Sequence, residues 1–247
     1  MGLLEVASEF ESQVELCSSD EELGSLLGDA AHELGFEHYA IVHSVSFRRE
    51  NPSFISIDNY PDSWAEEFVG RQLYLDNPVL QASQRTAKGF RWSDVARLLK
   101  VEQRHSHVLE RSARYGMGYG FTVPANVPGE PCGSCSFAVR KGRSLPEAYL
   151  RCAELIAIDA FDAARRIRKM PHMAAVPHLS RRQRQCVRLL AAGKTDWEIA
   201  VILGLSPETT RRYVKAARAA YNTVTRTQLV VHTLRDGQIS FDDTITP

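Results

Sequence analysis

The chain has 247 residues, of which 44% are hydrophobic and 24% charged, close to the globular average, which excludes a disordered, collagen-like or mostly coiled-coil protein. The formal net charge is zero, yet residues 177–247 hold 11 basic and 6 acidic residues, a net of +5, and residues 1–176 hold 19 and 24, a net of −5. A basic C-terminal region on a mildly acidic body predicts a polyanion partner for that region alone.

Cysteine usage and hydropathy bear on the expected location. Five cysteines scattered through a chain of this length do not form the pattern of a disulfide framework. No apolar stretch approaches the roughly 18–20 residues that span a bilayer. The acidic N-terminus also lacks the basic start of a signal peptide. We therefore expect a cytoplasmic protein without a membrane partner.

The N-terminal part of the chain is predicted to be a mixed α/β domain. In chain order, its predicted elements are an amphipathic helix over 20–34, a hairpin of strands 38–47 and 53–58, a helix that begins at Pro61, a charged helix over 95–115, strands 119–124 and 133–140, and a long amphipathic helix over 145–168. Helices, then strands, then helices predict an α-β-α sandwich.

The C-terminal part is predicted to be a separate, all-helical domain. Residues 169–178 (KMPHMAAVPH) hold two prolines and no regular apolar period, which is typical of a linker. Beyond them, four helices are predicted over 180–191, 196–203, 206–221 and 226–234. The fold class is therefore α+β, with an N-terminal domain over 1–168, a linker over 169–178 and a C-terminal domain over 179–247.

The third helix of the C-terminal domain has a basic side and an apolar side. Arg211, Lys215 and Arg218 recur at i, i+4 and i+7, with Arg212 beside them. Only Gly204-Leu205 separates this helix from the one before it, which is the spacing of a helix-turn-helix. The major groove of B-DNA admits one helix, and Arg or Lys pairs there with guanine. A solvated basic face is the alternative interpretation.

The segment from 179 to 228 resembles the DNA-binding domain of the LuxR-type transcription regulators. The positions that match the family pattern are Leu179, Ser180, Arg182, Val187, Gly193, Lys194, Glu198, Ile199, Ala200, Leu203, Ser206 and Thr209. The chain departs from the pattern at Gln183, where Glu is usual, and at Thr210, where Val is usual. The resemblance implies a DNA-binding regulator that reads a palindromic duplex as a homodimer.

The same resemblance implies roles for individual cations. Arg211 and Lys215 are the expected base readers, and Thr210 belongs to the predicted contact set. Arg212, Arg218 and Lys194 are expected to contact phosphates. RNA polymerase is a further partner that a regulator of this family would meet.

The N-terminal domain is similar to the autoinducer-binding domain of the quorum-sensing branch, whose members bind N-acyl-homoserine lactones. The residues that carry this similarity are Tyr60, Trp64, Phe68, Pro78, Trp92, Gly120, Thr122, Pro124 and Ser136. The similarity implies that the Trp64 indole donates to the lactone carbonyl and that Tyr60 and Trp92 form aromatic walls. The hydroxyls of Thr122 and Ser136 are expected in the same cavity. Plain core packing is the alternative for the aromatic residues.

Two departures from the family pattern affect the expected ligand. The family places Asp where this chain has Asn77, with Asp76 one residue earlier, and Tyr where it has Phe68. The Asn77 side-chain oxygen is expected to accept the amide N–H of the ligand, less strongly than a carboxylate. The signal is therefore an acyl-homoserine lactone, a branched or aryl variant, or a different small molecule. We expect no cofactor besides this signal.

Other motifs leave alternative inputs open. Cys132-Gly-Ser-Cys135 is a C-x-x-C motif, which suits redox chemistry, but no further ligand pair accompanies it for a metal site. Asp58 follows a strand and could accept a phosphoryl group in a response regulator. Gly116-x-Gly118-x-Gly120 precedes a strand, so we interpret it as a turn. No nucleophile–base–acid arrangement is present, and an enzyme is not expected.

Overall fold

The computed structural model describes residues 3–44, 54–128, 130–169 and 176–245. The chain divides into two compact units. The first comprises Met1–Val127 and Pro131–Met170, and the second comprises Pro128–Glu130 and Pro171–Pro247. The predicted linker falls largely on residues 170–175, which lie outside the described residues, so its limits stay a prediction.

An antiparallel sheet organises the first unit. Its strands are β1 (His38–His43), β2 (Ser56–Asp58), β3 (Phe90–Arg91), β4 (Tyr119–Ala125) and β5 (Gly133–Val139). Their order across the sheet is β2-β1-β5-β4-β3. The central strand β5 is buried along its whole length. A strand buried in this way must be covered on both faces of the sheet.

Helices cover both faces. They are α1 (Leu3–Val14), α2 (Asp20–Glu33), α3 (Asp62–Gly70), α4 (Pro78–Ser83), α5 (Val95–Leu98), α6 (Gln103–Arg114) and α7 (Leu150–Ile167). One face packs against α1, α2 and α7 through a core that contains Leu27, Phe137 and Ile156. The other face carries a smaller cluster with Trp64 and Met117. This layering confirms the predicted α-β-α sandwich.

Several local predictions were incomplete. The predicted helix over 95–115 is two helices, because Leu99 turns to an extended conformation and α6 begins afresh after Glu102. The Glu102 backbone N–H donates to His105 Nδ1 at 3.0 Å, which closes the new helix start. Helix α7 begins at Leu150, after a 3-10 turn, rather than at 145. Helices α1 and α4 and strand β3 were not predicted.

The described residues of the second unit form four α-helices: α8 (Arg181–Ala191), α9 (Asp196–Leu203), α10 (Pro207–Ala220) and α11 (Arg226–Arg235). A Ser or Thr caps each N-terminus, and Gly204 adopts a left-handed conformation between α9 and α10. Gln183 completes the first cap, since its Oε1 accepts from the Ser180 N–H at 2.7 Å. The predicted all-helical helix-turn-helix domain is confirmed.

Candidate ligand cavity and nucleic-acid interface

A cavity of about 460 Å³ lies on the second face of the sheet. Its sheet side is formed by Ala40 and Val42 of β1, Ser56 and Asp58 of β2, and Ser136 of β5. Its remaining wall is formed largely by apolar and aromatic residues of α3, α4 and α6. The sequence predictions that the structure places on the lining are Tyr60, Trp64, Phe68, Asn77, Trp92 and Ser136.

Trp64 and Phe68 form an aromatic wall on one side of α3. They are 4% and 6% exposed, and their ring centroids lie 5.2 Å apart, as expected for i and i+4 residues of a helix. The centroid of the Tyr115 ring lies 5.5 Å from that of Trp64. Within the described part of the chain, no group accepts a hydrogen bond from the Trp64 indole N–H. That donor is available to a ligand.

Trp92, Thr122 and Ser136 form a chain of hydrogen bonds. The Trp92 indole N–H donates to Thr122 Oγ1 at 2.9 Å, and Thr122 Oγ1 lies 2.8 Å from Ser136 Oγ. Thr122 is fully buried and does not line the cavity, which corrects the expectation that its hydroxyl reaches the ligand. Either hydroxyl of this pair could donate to the other; since Thr122 is fully buried, we infer that its hydrogen is directed to Ser136, the hydroxyl within reach. The Ser136 hydrogen then remains for the cavity.

Asp76 and Asn77 occupy different environments. Asp76 does not line the cavity: its side chain is 41% exposed, and Oδ1 lies 3.5 Å from Nη1 of Arg104. The expectation that Asp76 contacts the ligand is therefore corrected. Asn77 does line the cavity, but its Oδ1 accepts from the backbone N–H groups of Val79 at 2.8 Å and Leu80 at 3.2 Å. The oxygen expected to accept from the ligand instead caps α4.

Asp58 is a lining residue that the sequence analysis did not assign to the ligand site. Strand β2 alternates, so that Ile57 enters the core while Ser56 and Asp58 face the cavity. The Tyr60 backbone N–H donates to Asp58 Oδ1 at 3.1 Å. Burial by the surrounding protein, and then the charge of Asp62, raise the pKa of Asp58, although the Tyr60 hydrogen bond opposes them. The alternation of apolar and polar residues in the second strand of the predicted hairpin is the sequence signal that could have assigned Asp58 to the cavity.

Glu67 links α3 to the C-terminal end of α6, two elements beside the cavity. Its side chain on α3 is 12% exposed, and Oε2 accepts from the Tyr115 hydroxyl at 2.7 Å. Arg111 of α6 also pairs with Glu67. The hydrogen bond from Tyr115, followed by the one from Arg111, holds the pKa of Glu67 below its usual value against the effect of desolvation.

The alternative inputs find little structural support. Cys135 is fully buried in β5, and burial raises the pKa of its thiol far above the usual value, which disfavours the reactive thiolate. Asp58 lies in an antiparallel sheet rather than at the end of a parallel βα repeat. Gly116 takes a positive φ of 96°, in agreement with a turn. Among the described residues, no group of three or more His, Cys, Asp or Glu could hold a metal.

Helix α10 presents cations outward from the second unit. Val214 and Ala217 enter its core, whereas Arg211, Arg212 and Lys215 are exposed. Thr210 also faces the core and is fully buried, and its hydroxyl has no partner within the described chain. Its inclusion among the DNA contacts was therefore wrong, because a side chain on the buried side of α10 does not reach a duplex.

The exposed cations differ in their surroundings. Arg211 Nε lies 3.7 Å from Asp196 Oδ2, and its Nη1 lies 3.6 Å from Glu208 Oε2. Arg226 of α11 donates to the same Asp196 oxygen at 2.6 Å. Asp196 thereby joins α9, α10 and α11.

The remaining predicted cations have different local partners. Arg218 is half-buried and donates to the carbonyl of Val224 in the next loop. Lys194 is half-buried just before α9. Arg212 and Lys215 form no ion pair with any residue that the structure describes. Their charges are therefore not offset by a described acidic partner on the outer side of α10.

Comparison with known families gives two matches along the chain. Residues 19–164 match the autoinducer binding domain, and residues 177–233 match the bacterial regulatory proteins of the luxR family. The first match alone covers more than half of the chain.

Across the residues described, no helix has the length and apolar character needed to cross a membrane.

Individual relatives agree with these matches. The chain is 28% identical over 181 residues to the HTH-type transcriptional regulator y4qH of Sinorhizobium fredii, which covers 73% of this chain but 56% of that protein. It is 24% identical over 234 residues to the transcriptional activator protein LuxR of Aliivibrio fischeri, covering 92% of each.

Solved structures show the same fold. A crystal structure of Escherichia coli SdiA matches with a TM-score of 0.63 at 22% identity, covering 96% of this chain and 99% of that chain. SdiA in complex with octanoyl-rac-glycerol matches with a TM-score of 0.65 at 21% identity, covering 97% and 98%. The two family matches, together with this fold, show that the chain belongs to the LuxR family of transcriptional regulators that carry an autoinducer-binding domain.

Proposed function

We propose that the cavity binds a small, neutral acyl signal and that its occupancy controls DNA binding by α10. The observation that carries this proposal is the cavity beside Trp64, which combines an apolar wall with an indole N–H that has no partner in the described chain. Ligand sites in proteins combine a mostly apolar lining with a few convergent polar groups, in volumes of roughly 300–1,000 Å³. The cavity volume of about 460 Å³ lies in that range.

The lining supports a neutral ligand with an acyl chain. No Lys or Arg is among the described residues that line the cavity, so nothing there would neutralise an anionic head group. Trp64 and Ser136 supply donors for carbonyl oxygens. An N-acyl-homoserine lactone is the signal typical of the family, and Phe68, without the family hydroxyl, suits a branched or aryl acyl group. The octanoyl-rac-glycerol bound to SdiA is also a neutral acyl compound.

The second unit supports sequence-specific binding to duplex DNA. Arg211 and Lys215, one helical turn apart on the exposed side of α10, would read bases in the major groove. Arg212, Arg218 and Lys194 would contact phosphates. We propose that the regulator acts in the cytoplasm as a homodimer, associating in part through α7, so that two copies of α10 read a palindromic site. RNA polymerase is the further partner expected of such a regulator.

Ligand binding and folding are expected to be coupled. A ligand that binds only the folded state stabilises it by about 2.7 kcal/mol at a concentration one hundred times the Kd. The cavity separates α3 and α6 from the sheet, so a bound acyl chain would add apolar contacts between these elements. Occupancy would then favour the folded regulator that binds DNA.

Thermal unfolding of the full chain tests the proposal. The Tm is measured with a panel of N-acyl-homoserine lactones, branched and aryl variants, and acyl glycerols, for the wild type and for Trp64→Phe. We expect at least one member to raise the Tm of the wild type and to raise that of Trp64→Phe less, since the variant keeps the ring but lacks the N–H.

Binding to duplexes selected from a random pool is measured in parallel by mobility shift. A wild type that binds DNA normally but shows no shift in Tm with any member of the panel would remove the proposed ligand class. Equal shifts in the wild type and in Trp64→Phe would remove the role of the indole.

A further inference from the structure

The hydrogen-bonding character of Asn77 is set by its role as a helix cap. Its Oδ1 accepts from two backbone N–H groups, of Val79 and Leu80, at 2.8 and 3.2 Å. An amide oxygen has two lone pairs, so both are occupied. The group that Asn77 retains for the cavity is its NH₂, which only donates. An aspartate at this position would cap α4 with one oxygen and still offer the second as an acceptor.

Trp64 and Ser136 also offer donors on the lining, whereas the hydroxyls of Ser56, Tyr60 and Ser112 can donate or accept. Trp64 offers an indole N–H, which cannot accept. When the buried Thr122 hydroxyl donates to Ser136, the Ser136 hydrogen is left for the cavity. Trp64, Asn77 and Ser136 thus offer donors to the cavity, and these suit carbonyl oxygens.

Asp58 supplies the strongest acceptor on the lining. It is the one charged side chain among the described residues that line the cavity. Its Oδ1 accepts from the Tyr60 N–H, and no other described residue donates to the carboxylate. The second oxygen of Asp58 is therefore open to a donor carried by the ligand. Asp58 enters from β2, whereas Asn77 enters from the start of α4.

We propose that the cavity selects an acyl ester whose head group carries a free hydroxyl, with a carbonyl accepting from Asn77 and the hydroxyl donating to Asp58, and that it discriminates against acyl amides. This inference rests on the proposed function, because it specifies the signal for the same cavity. An amide N–H that faced the Asn77 NH₂ would place donor against donor. Each group would then be buried without a partner, which is strongly unfavourable.

Three probes of equal acyl length separate these contributions. They are N-octanoyl-homoserine lactone, α-octanoyloxy-γ-butyrolactone, in which an oxygen replaces the amide N–H, and 1-octanoylglycerol, which carries hydroxyls. Their Kd values are measured on the full chain by calorimetry. We expect the wild type to bind the lactone ester about tenfold more tightly than the lactone amide, which corresponds to one lost hydrogen bond in a buried site.

Asn77→Asp keeps the cap of α4 and changes one atom of the lining from donor to acceptor. We expect it to reverse the preference, so that the lactone amide binds more tightly than the lactone ester. Asp58→Asn should weaken 1-octanoylglycerol about tenfold and leave the lactone ester unchanged. Asp76→Asn, the same carboxylate-to-amide change at a residue that does not line the cavity, is the matched control and should change none of these ratios.

The outcomes distinguish this inference from the proposed function. Tighter binding of the lactone amide by the wild type, or an unchanged preference in Asn77→Asp, would overturn the inference while the proposed function stands. An equal effect of Asp58→Asn on the glycerol and lactone esters would overturn the role of the hydroxyl. Failure of all three probes to bind a chain that still binds DNA would overturn both proposals.

Discussion

The indole of Trp92 lies directly against Gly120, so closely that a Cβ at position 120 would meet ring atoms at 2.3 Å. Trp92 precedes α5, and Gly120 lies in β4, next to the cavity-facing part of the sheet. The absence of a side chain at 120 therefore allows the ring to lie on the strand and to reach Thr122 with its N–H. This close approach is what positions the hydrogen-bond chain that ends at Ser136.

Gly120→Ala is expected to displace Trp92 and weaken the fold. Added methyl groups in a packed site typically destabilise by about 1–3 kcal/mol. The Trp92–Thr122 hydrogen bond should be lost with the displacement, so ligand affinity should fall as well. Urea unfolding and calorimetric ligand binding measure the two effects.

Gly70→Ala is the matched control for this substitution. Nothing lies within 4 Å of a Cβ at position 70, at the end of α3. Because alanine favours helix by up to about 1 kcal/mol over glycine, this variant should be as stable as the wild type or more so. Equal effects of the two substitutions would contradict the role of the contact between Gly120 and Trp92.

The charge of Asp58 should make the ligand-free protein less stable as the pH rises. Burial raises the pKa of this carboxyl in the folded state above its value of about 3.9 in an unfolded chain. Between those two values the folded state binds more protons than the unfolded state, so the free energy of unfolding falls with increasing pH. Asp58→Asn should therefore raise the Tm at pH 7, and the gain should disappear below about pH 4.

Thermal unfolding across this pH range, without ligand, tests the effect. Asp62→Asn provides a comparison, because its charge is one of the causes of the raised pKa of Asp58. Asp62→Asn should raise the Tm at pH 7 by part of the amount that Asp58→Asn does. A Tm of Asp58→Asn at pH 7 below that of the wild type would show that the carboxylate stabilises the empty cavity instead.

The buried hydroxyl of Thr210 predicts a stabilising substitution. Thr210 is fully buried, and its hydroxyl has no hydrogen-bond partner within the described chain. Thr210→Val, which has nearly the same shape, should raise the free energy of unfolding by about 1 kcal/mol and leave DNA affinity unchanged. Thr233→Val is the control, since the Thr233 hydroxyl donates to backbone carbonyls of Leu229 and Val230 and its loss brings no such gain.

Urea unfolding and mobility shift on one preparation measure both quantities. A loss of DNA affinity in Thr210→Val without a change in stability would restore Thr210 to the contact set.

The second unit was predicted well because its signals are local. Ser180, Thr195 and Ser206 each lie at a helix start and accept from the N–H three residues on, so the sequence carries the boundaries directly. Helix α1 was missed although Val6, Phe10 and Val14 repeat at i, i+4 and i+8 and are all buried.

The candidate site was harder to predict, because strand pairing and tertiary packing decide which polar side chains face the cavity. Asp58 faces the cavity only because β2 pairs with β1 in the register that sets Asp58 opposite Ala40. Asn77 lies before Pro78, which is a local helix-start signal, but the resemblance to the family favoured a ligand contact instead. Thr122 and Ser136 share a face as predicted, yet only the position of Trp92 decides which hydroxyl reaches the cavity.

Arg211 and Arg212 are neighbours on α10 that should affect DNA binding differently. The Arg211 guanidinium lies between Asp196 and Glu208, and Asp196 is itself held by Arg226, so this side chain is oriented before DNA arrives. Arg211→Ala should weaken binding to a selected duplex by about 1–3 kcal/mol and relax its sequence preference. Arg212→Ala should weaken selected and unrelated duplexes alike and reduce the salt dependence of affinity by about one unit of slope.

Fluorescence anisotropy over a series of salt concentrations, with selected and scrambled duplexes, separates the two cases. Glu208→Gln serves as the control, because it removes one partner of Arg211 while Asp196 remains. It should preserve sequence preference and strengthen binding slightly, since it removes a negative charge near the phosphates. If Arg211→Ala weakened both duplexes equally, Arg211 would be a phosphate contact, and Lys215, one turn further along the exposed side of α10, would be the remaining base reader.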